Sequence, residues 1–193
     1  MGHSQMCIVK AALAVFLCAG ATAGEAVAQE AAKTAAPLHE VHGSWQLACA
    51  AAAKKDGADA ASSTGGETKP PCAIAQVQLE EKTRKLVVSV EFRLDDAATP
   101  DRLTGTMVLP FGLAVTKLFS VKSGNMRLQE VQVSTCLPVG CIVSFTPFIE
   151  LVSALKAEQT LTIEAPDLQG RIVSFQLQGK GFPEALKRLG EVR

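Results

Sequence analysis

The sequence has few aromatic residues and no surplus of either charge. Its 193 residues include one Trp, eight Phe and no Tyr, and 19 basic residues balance 19 acidic ones. Proteins that bind nucleic acid usually carry excess positive charge, often beside aromatic rings on which bases stack. The composition therefore argues against nucleic-acid binding and against a strongly charged membrane-binding face.

Sequence motifs of common enzymes are missing as well. The sequence has no Gly-x-Ser-x-Gly, no His-Glu-x-x-His and no Walker motif. Apart from His3 near the N-terminus, only His39 and His42 could serve a Ser-His-Asp or Cys-His mechanism. These two could also form a metal pair, but no third ligand lies nearby. We therefore interpret His39 and His42 as solvent-exposed residues at the start of a strand.

The longest apolar run is too short to span a membrane, which takes roughly 20 apolar residues. It covers residues 11–23, follows Lys10 and precedes a small-residue cleavage site. This order predicts a secretory signal peptide at residues 1–28 that is cleaved after Ala28. Lipidation at Cys18 is disfavoured, because a leucine precedes it where acylation motifs place a small residue. We therefore expect a periplasmic, secreted or outer-surface protein.

Four cysteines remain after the predicted leader: Cys49, Cys72, Cys136 and Cys141. An even number in an exported chain indicates disulfides, and four cysteines allow three pairings. The proline and glycine between Cys136 and Cys141 would reverse the chain and bring these two together, which leaves Cys49 for Cys72. A zinc site would need a second close pair, and redox dithiols are usually spaced Cys-x-x-Cys.

The mature chain divides into a lead-in and one domain. Residues 29–40 are rich in alanine without strand periodicity, so a flexible lead-in is predicted there. A β-sandwich domain is predicted over residues 41–193. Within it, residues 50–71 have a low-complexity composition that cannot build a core, which predicts a flexible surface loop. A Cys49–Cys72 disulfide would close this loop at its root.

Alternating apolar residues predict an all-β domain. Leu86 to Leu94 alternates most clearly, and Trp45 is expected to anchor the core. Helical spacing after Pro147 and from Phe182 onward predicts two short helices, the second covering an edge or end of the sheet. Eight or nine short strands separated by turns favour an antiparallel sandwich. The predicted strands are 41–49, 72–79, 84–94, 103–109, 114–121, 126–134, 141–146, 159–165 and 171–178.

Five landmarks follow one another in a fixed order along the chain. A Trp-x-x-x-Cys strand ends at Cys49, and Cys72 opens the next strand. A Pro-x-Gly-Leu segment begins at Pro110, a Cys-x-x-x-Gly-Cys element begins at Cys136, and a Gly-Phe-x-x-Ala-Leu tail begins at Gly181. In this order the landmarks resemble the invasion-associated locus B family of bacterial exported proteins, and the resemblance covers about residues 41–190.

The resemblance implies an immunoglobulin-like antiparallel β-sandwich in the periplasm or at the outer surface. The four cysteines carry over as structural residues, whereas no catalytic set, cofactor or metal site does. Some members are linked to host-cell invasion. The predicted function is thus a non-enzymatic binding module of the bacterial envelope whose partner is an unidentified envelope or host protein.

The alternative is an envelope hydrolase that uses carboxylates such as Glu91 and Asp95. A glycosidase-like mechanism would need two carboxyl groups roughly 5–9.5 Å apart in one cleft. The sequence does not show whether these two residues meet in such a cleft.

Overall fold

The computed structural model describes residues 37–50, 71–95 and 102–192. Within these ranges the chain forms eleven strands and two helices. The strands are β1 (Leu38–His42), β2 (Trp45–Cys49), β3 (Cys72–Leu79), β4 (Leu86–Leu94), β5 (Leu103–Leu109), β6 (Phe119–Ser123), β7 (Met126–Val131), β8 (Thr135–Leu137), β9 (Gly140–Phe145), β10 (Leu161–Pro166) and β11 (Ile172–Leu177). The helices are α1 (Ile149–Lys156) and α2 (Phe182–Val192).

The strands form two antiparallel sheets. The first has the order β1-β2-β3-β4-β5-β9-β8 and the second the order β11-β10-β6-β7. In β4, Val88, Val90 and Phe92 are buried between the layers, as their alternation predicts. The predicted all-β antiparallel sandwich with two short helices is therefore confirmed.

An aromatic cluster occupies the core beneath the first sheet. Trp45 is fully buried, and its ring centroid lies 5.0 Å from that of Phe182 and 5.7 Å from that of Phe92. The indole N–H donates a hydrogen bond to the carbonyl of Gln178 at 2.9 Å. Buried aromatic side chains contribute large apolar areas, and a Trp N–H in a core needs an acceptor. Trp45 is thus the core anchor that the sequence predicts.

Helix α2 covers a face of the first sheet, not an edge or end as predicted. It contacts β1, β2, β3 and β4, and its buried residues are Phe182, Ala185 and Leu189. Their spacing of three and four residues places them on one side of the helix. An apolar stripe predicts that a helix packs against the core, but it does not show which surface of the sheet the helix contacts. The predicted position of α2 was wrong for this reason.

The N-terminal strand was predicted incorrectly. Residues 41–49 form not one strand but two, because the chain turns at Gly43 and Ser44, and β1 already begins at Leu38 inside the predicted lead-in. Gly43 has a φ of +58°, a conformation that glycine adopts without steric cost. β1 is an edge strand with only half-buried or exposed residues, so its composition carries little strand signal.

Two further boundaries differ from the prediction. The segment predicted as a strand over residues 114–121 begins with a turn, closed by a 2.9 Å hydrogen bond from the Lys117 N–H to the Ala114 carbonyl. Its strand, β6, is therefore limited to Phe119–Ser123. The predicted strand 126–134 ends at Val131, and the residues that follow include the short separate strand β8.

Several predicted features lie outside the described residues: the signal peptide at 1–28, the lead-in as far as residue 36 and the loop positions 51–70. Neither of the two helices in the described ranges is long and apolar enough to cross a membrane.

Candidate functional site

Strands β8 and β9 form a tight hairpin whose turn residues are Pro138 and Val139. Cys136 and Cys141 are direct cross-strand partners, with Sγ atoms 2.07 Å apart and Cα atoms 4.0 Å apart. Gly140 follows the turn, and a Cβ at this position would lie 2.5 Å from the carbonyl oxygen of Leu109. Glycine therefore allows the hairpin to approach β5 closely, while the disulfide fixes its two strands.

The segment after β5 joins this hairpin to the second sheet. Leu109 pairs with Cys141 in the first sheet, whereas the Ala114 N–H donates to the Pro166 carbonyl at 2.8 Å. The Leu168 N–H also donates to the Gly112 carbonyl at 3.2 Å. The β8–β9 turn, residues 110–114 and the β10–β11 turn consequently lie at the same end of the sandwich.

The β10–β11 turn is held by the buried carboxylate of Asp167. This carboxylate accepts hydrogen bonds from the backbone N–H groups of Gln169 (2.8 Å) and Arg171 (2.9 Å), and from Arg171 Nε at 2.7 Å. Burial raises the pKa of Asp167, but the hydrogen bonds from Arg171 and Gln169 outweigh burial and hold this pKa below its ordinary value. The turn is therefore rigid while Asp167 is ionised.

Four large apolar side chains are exposed on these turns. We call them the hairpin end: Phe111 (63% exposed), Leu137 (49%), Val139 (65%) and Leu168 (71%). Single exposed apolar residues are common, whereas a group of them on one surface usually marks an interaction site. The hairpin end can therefore bury apolar area against a partner.

A second candidate site is a groove of about 560 Å³ between the two helices and the ends of β4 and β5. We call it the cationic groove. It is lined by Leu94, Arg102, Leu103, Thr146, Pro147, Ile149, Val152, Lys156, Leu186, Lys187 and Gly190. The apolar lining residues Leu94, Leu103, Val152 and Leu186 are partly buried and pack against the core. Ile149 is 70% exposed at the opening.

Buried Gln129 positions one wall of the groove. Its Nε2 donates to the Thr146 carbonyl at 2.9 Å, and its Oε1 accepts from the Phe148 N–H at 3.0 Å. These two bonds fix the chain on both sides of Pro147 and set the start of α1. The groove wall is thus held by a side chain on β7 that is 5% exposed.

A smaller polar cleft of about 230 Å³ lies beside the turn between β1 and β2. Its lining includes His42, Glu158, Lys180 and Glu184. The Glu158 carboxylate accepts a 2.8 Å hydrogen bond from the Gly181 N–H, immediately before α2. Glu158 therefore stabilises the helix N-terminus, where a negative charge is favourable.

The structure pairs Cys49 with Cys72 directly across β2 and β3, with an S–S distance of 2.06 Å. The Ala50 N–H donates to the Pro71 carbonyl at 3.0 Å beyond this bond. The disulfide therefore joins the two chain segments that lead out to residues 51–70. All four cysteines act in the structure as cross-links between neighbouring strands.

The carboxylates considered for hydrolysis do not line either cavity. Glu91 forms an ion pair with Arg93 Nε at 2.5 Å. Asp95 lies four residues further along the extended chain, a Cα separation of roughly 13 Å. The geometry therefore gives no support to this pair as the acid and base of one site.

His39 and His42 do not form a metal site together. They lie three residues apart on β1, so their side chains point to opposite faces, and His42 Nε2 lies 3.2 Å from Glu40 Oε2. Among the residues that the structure describes, no three His, Cys, Asp or Glu side chains are close enough to hold a metal ion.

Sequence reasoning missed the hairpin end and the cationic groove as sites. A signal for the hairpin end was present, because Phe111, Val139 and Leu168 stand in turn segments where apolar side chains have no core to enter. The groove has no comparable signal, since its lining comes from four separate parts of the chain.

This chain is similar to curated proteins and to a solved structure. An invasion protein B homolog from Brucella abortus is 27% identical over 156 residues, which are 80% of each chain. Invasion protein B from Bartonella bacilliformis is 28% identical over 160 residues, 80% of this chain and 76% of that protein. The crystal structure of invasion associated protein B from Bartonella henselae covers 79% of this chain and 95% of its own, at 24% identity and a TM-score of 0.63. The last comparison supports the fold.

The pattern of the family described as "Invasion associated locus B (IalB) protein" matches residues 45–190. This span runs from Trp45 at the start of β2 to Gly190 near the end of α2. It includes all four cross-linked cysteines, the hairpin end and the residues of the cationic groove. The chain belongs to the invasion-associated locus B family.

Proposed function

We propose that this protein is a non-enzymatic, exported interaction module of the bacterial cell envelope that binds a protein partner through the hairpin end. The observation that carries the proposal is the exposure of four large apolar side chains on one end of the sandwich. Apolar side chains grouped on a surface favour association, because contact with a partner removes them from water.

The rigidity of the hairpin end supports the same proposal. The Cys136–Cys141 disulfide fixes one turn, and the hydrogen bonds of Asp167 fix the other. A surface that is already ordered loses less conformational entropy when a partner binds. The partner is an envelope or host protein with a complementary apolar surface.

Export to an oxidising compartment is part of the proposal. The predicted leader at residues 1–28 and the two disulfides support it, since disulfides persist mainly outside the reducing cytosol. Mass spectrometry of the envelope fraction should find a mature N-terminus at Gln29. An N-terminus at Cys18 carrying lipid would contradict a soluble periplasmic, secreted or surface form.

The hairpin end is tested by capture from envelope extracts with the disulfide-bonded protein. Full burial of a Leu or Phe side chain contributes about 1.5–3 kcal/mol, so Phe111→Ser with Leu168→Ser should weaken saturable capture roughly a hundredfold. Met126→Ser is the matched control, because Met126 is 65% exposed at the opposite end of the second sheet. Equal capture by the double variant and the control would exclude the hairpin end.

A role in host-cell invasion is supported by the names of the Brucella and Bartonella relatives. Where the bacterium infects cells, a strain lacking the protein should enter them less often. The wild-type gene and the Met126→Ser gene should restore entry, whereas the Phe111→Ser, Leu168→Ser gene should not. Full restoration by the double variant would separate invasion from the hairpin end.

A further inference from the structure

The described lining residues of the cationic groove form an apolar floor surrounded by positively charged side chains. Leu94, Leu103, Val152 and Leu186 form partly buried apolar surface, and Ile149 extends it toward solvent. Apolar surface inside a concavity gains free energy when a ligand displaces its water. The floor therefore suits a hydrocarbon group.

Three cations surround this floor: Arg102 before β5, Lys156 at the end of α1 and Lys187 on α2. All three are exposed, and none of them forms an ion pair with another residue in the described part of the chain. None of the lining residues that the structure describes carries a carboxylate, although acidic and basic residues are equal in number over the whole sequence. The local positive potential therefore favours an anionic group.

The polar side chains of the lining indicate that the ligand carries few hydroxyl groups. Among the described residues of the lining, only Thr146 carries a hydroxyl, and its Oγ1 already accepts a 3.3 Å hydrogen bond from Arg102 Nη2. The same residues include no aromatic ring on which a sugar or base could stack. A ligand rich in hydroxyl groups would leave many of them without partners.

We propose that the cationic groove binds a free long-chain fatty carboxylate, with the acyl chain on the apolar floor and the carboxylate among the three cations. The groove volume of about 560 Å³ lies within the roughly 300–1,000 Å³ of typical small-molecule sites. The three cations favour the anionic carboxylate head, and the apolar lining favours the acyl chain. This site lies at the opposite end of β5 from the hairpin end and acts independently of it.

Gly190 provides a way to fill the groove without removing any contact. It lines the groove from α2, and a Cβ at this position would meet no atom within 4 Å. Gly190→Phe should therefore place a ring in the groove, while Gly190→Ala leaves the groove open. Both substitutions remove a helix-interior glycine, so neither should unfold α2.

The test is a titration of the purified, disulfide-bonded protein with dodecanoate below its micelle-forming concentration, followed by methyl NMR. The methyl signals of Ile149, Val152, Leu103 and Leu186 should shift in a saturable way. Shortening the chain from dodecanoate to decanoate should weaken binding up to roughly fifteenfold, because each buried methylene contributes to affinity. Gly190→Phe should abolish the shifts and Gly190→Ala should retain them.

The charged rim is tested with a matched pair of double variants. Lys156→Gln with Lys187→Gln should weaken dodecanoate binding roughly tenfold at low salt and leave the binding of uncharged 1-decanol unchanged. Lys82→Gln with Lys117→Gln removes two exposed cations away from the groove and should change neither.

Four results would overturn the proposal. Binding that does not depend on chain length, or that survives Gly190→Phe, would place the ligand elsewhere. Binding to anionic phospholipid vesicles without binding to dodecanoate would indicate a membrane surface instead of a free fatty carboxylate. A self-associated form that Gly190→Phe dissociates would assign the groove to a second copy of the chain. Each of these results is independent of capture through the hairpin end.

Discussion

Gln76 is a buried polar side chain that joins the two sheets. It is 4% exposed on β3, at an inward position where the alternation would otherwise place an apolar residue. Its Nε2 donates to the Gln178 carbonyl at 3.0 Å, and its Oε1 accepts from the Gln178 N–H at 2.9 Å. Gln178 directly follows β11. These two bonds therefore satisfy the backbone N–H and carbonyl groups of the residue at which the chain leaves the second sheet toward α2.

We predict that Gln76→Leu lowers the free energy of unfolding by about 1–3 kcal/mol, because the Gln178 N–H would remain buried without its acceptor. Gln46→Leu is the matched control, since Gln46 is exposed on β2 of the same sheet. Its effect should stay within about 0.5 kcal/mol. Urea unfolding of both variants measures the difference. Equal losses would mean that the Gln76 amide has no special role.

Glu40 links β1 to α2 through Arg188. Arg188 Nε and Nη2 both lie 3.0 Å from the Glu40 carboxylate, at Oε2 and Oε1 respectively. The hydrogen bond from Arg188 is the main cause that lowers the pKa of Glu40 below its ordinary value of 4.5, and burial opposes it to a smaller degree. Since the folded-state pKa is the lower one, ionised Glu40 stabilises the fold above pH 4.5, and this stabilisation is lost as pH falls through the folded value.

We therefore expect Glu40→Gln to lower the melting temperature at pH 7 and to resemble the wild-type protein progressively as the pH falls below 4.5. Glu130→Gln is the control, because it removes an exposed ion pair with Arg127, which lies three residues earlier in the same strand, β7. Thermal unfolding followed by circular dichroism from pH 7 to pH 3 measures both. A decrease in melting temperature on Glu40→Gln that is the same at every pH would contradict a role for the Glu40 charge.

The start of α2 and the β1–β2 turn approach each other at two glycines. A Cβ on Gly43 would lie 2.6 Å from the Lys180 carbonyl oxygen, and a Cβ on Gly181 would overlap the His42 carbonyl. The Ser44 N–H donates to the Lys180 carbonyl at 3.0 Å, which fixes this approach. The position of α2 on the sheet face therefore depends on the missing side chain at Gly181.

We predict that Gly181→Ala lowers the free energy of unfolding by about 1–3 kcal/mol more than Gly124→Ala does. Both glycines have positive φ values, +83° and +55°, so the backbone cost of about 1–2 kcal/mol is common to the two substitutions. Only Gly181 meets neighbouring atoms, since a Cβ on Gly124 would contact nothing within 4 Å. Denaturant unfolding that gives equal losses would contradict the steric argument.

The two disulfides should differ in their contribution to stability. On the chain-entropy view, the bond that spans 23 residues contributes about 3 kcal/mol and the bond that spans five contributes about 2 kcal/mol. Replacing Cys49 and Cys72 with alanine should therefore destabilise the protein more than replacing Cys136 and Cys141. Urea unfolding of the two double variants compares them. Peptide mapping without reductant checks the pairing, and a peptide that joins Cys49 to Cys136 would contradict the strand register.

The bounds of a strand were predictable where one face of the strand is buried and the other is more exposed to solvent. β5 was predicted with its observed bounds, and β4 within two residues at its start. β1 was missed because Leu38, Glu40 and His42 are only half-buried, so their alternation carries little hydrophobic contrast. The helical stripe from Phe182 onward was visible, but the surface that receives it depends on the close approach at Gly181, which involves residues far apart in sequence.

The two proposed sites lie at opposite ends of β5. Leu103 begins this strand beside the cationic groove, and Leu109 ends it beside the β8–β9 turn. Neither site was predicted from the sequence as a site. The cysteines of the hairpin were visible in the sequence, whereas the groove forms only when the strand ends and both helices come together. The family resemblance was visible as well, because it rests on the order of local landmarks along the chain.

The hairpin end should contact a protein partner in the cell envelope. The most direct measurement is site-specific photo-crosslinking in the intact bacterium, with a photoreactive phenylalanine analogue at Phe111 and, as a control, at Met126. Both positions are about two-thirds exposed, and they lie at opposite ends of the sandwich. We predict a discrete crosslinked product from position 111 that Leu168→Ser reduces, and no such product from position 126. Equal products from both positions, or none from position 111, would contradict partner binding through the hairpin end.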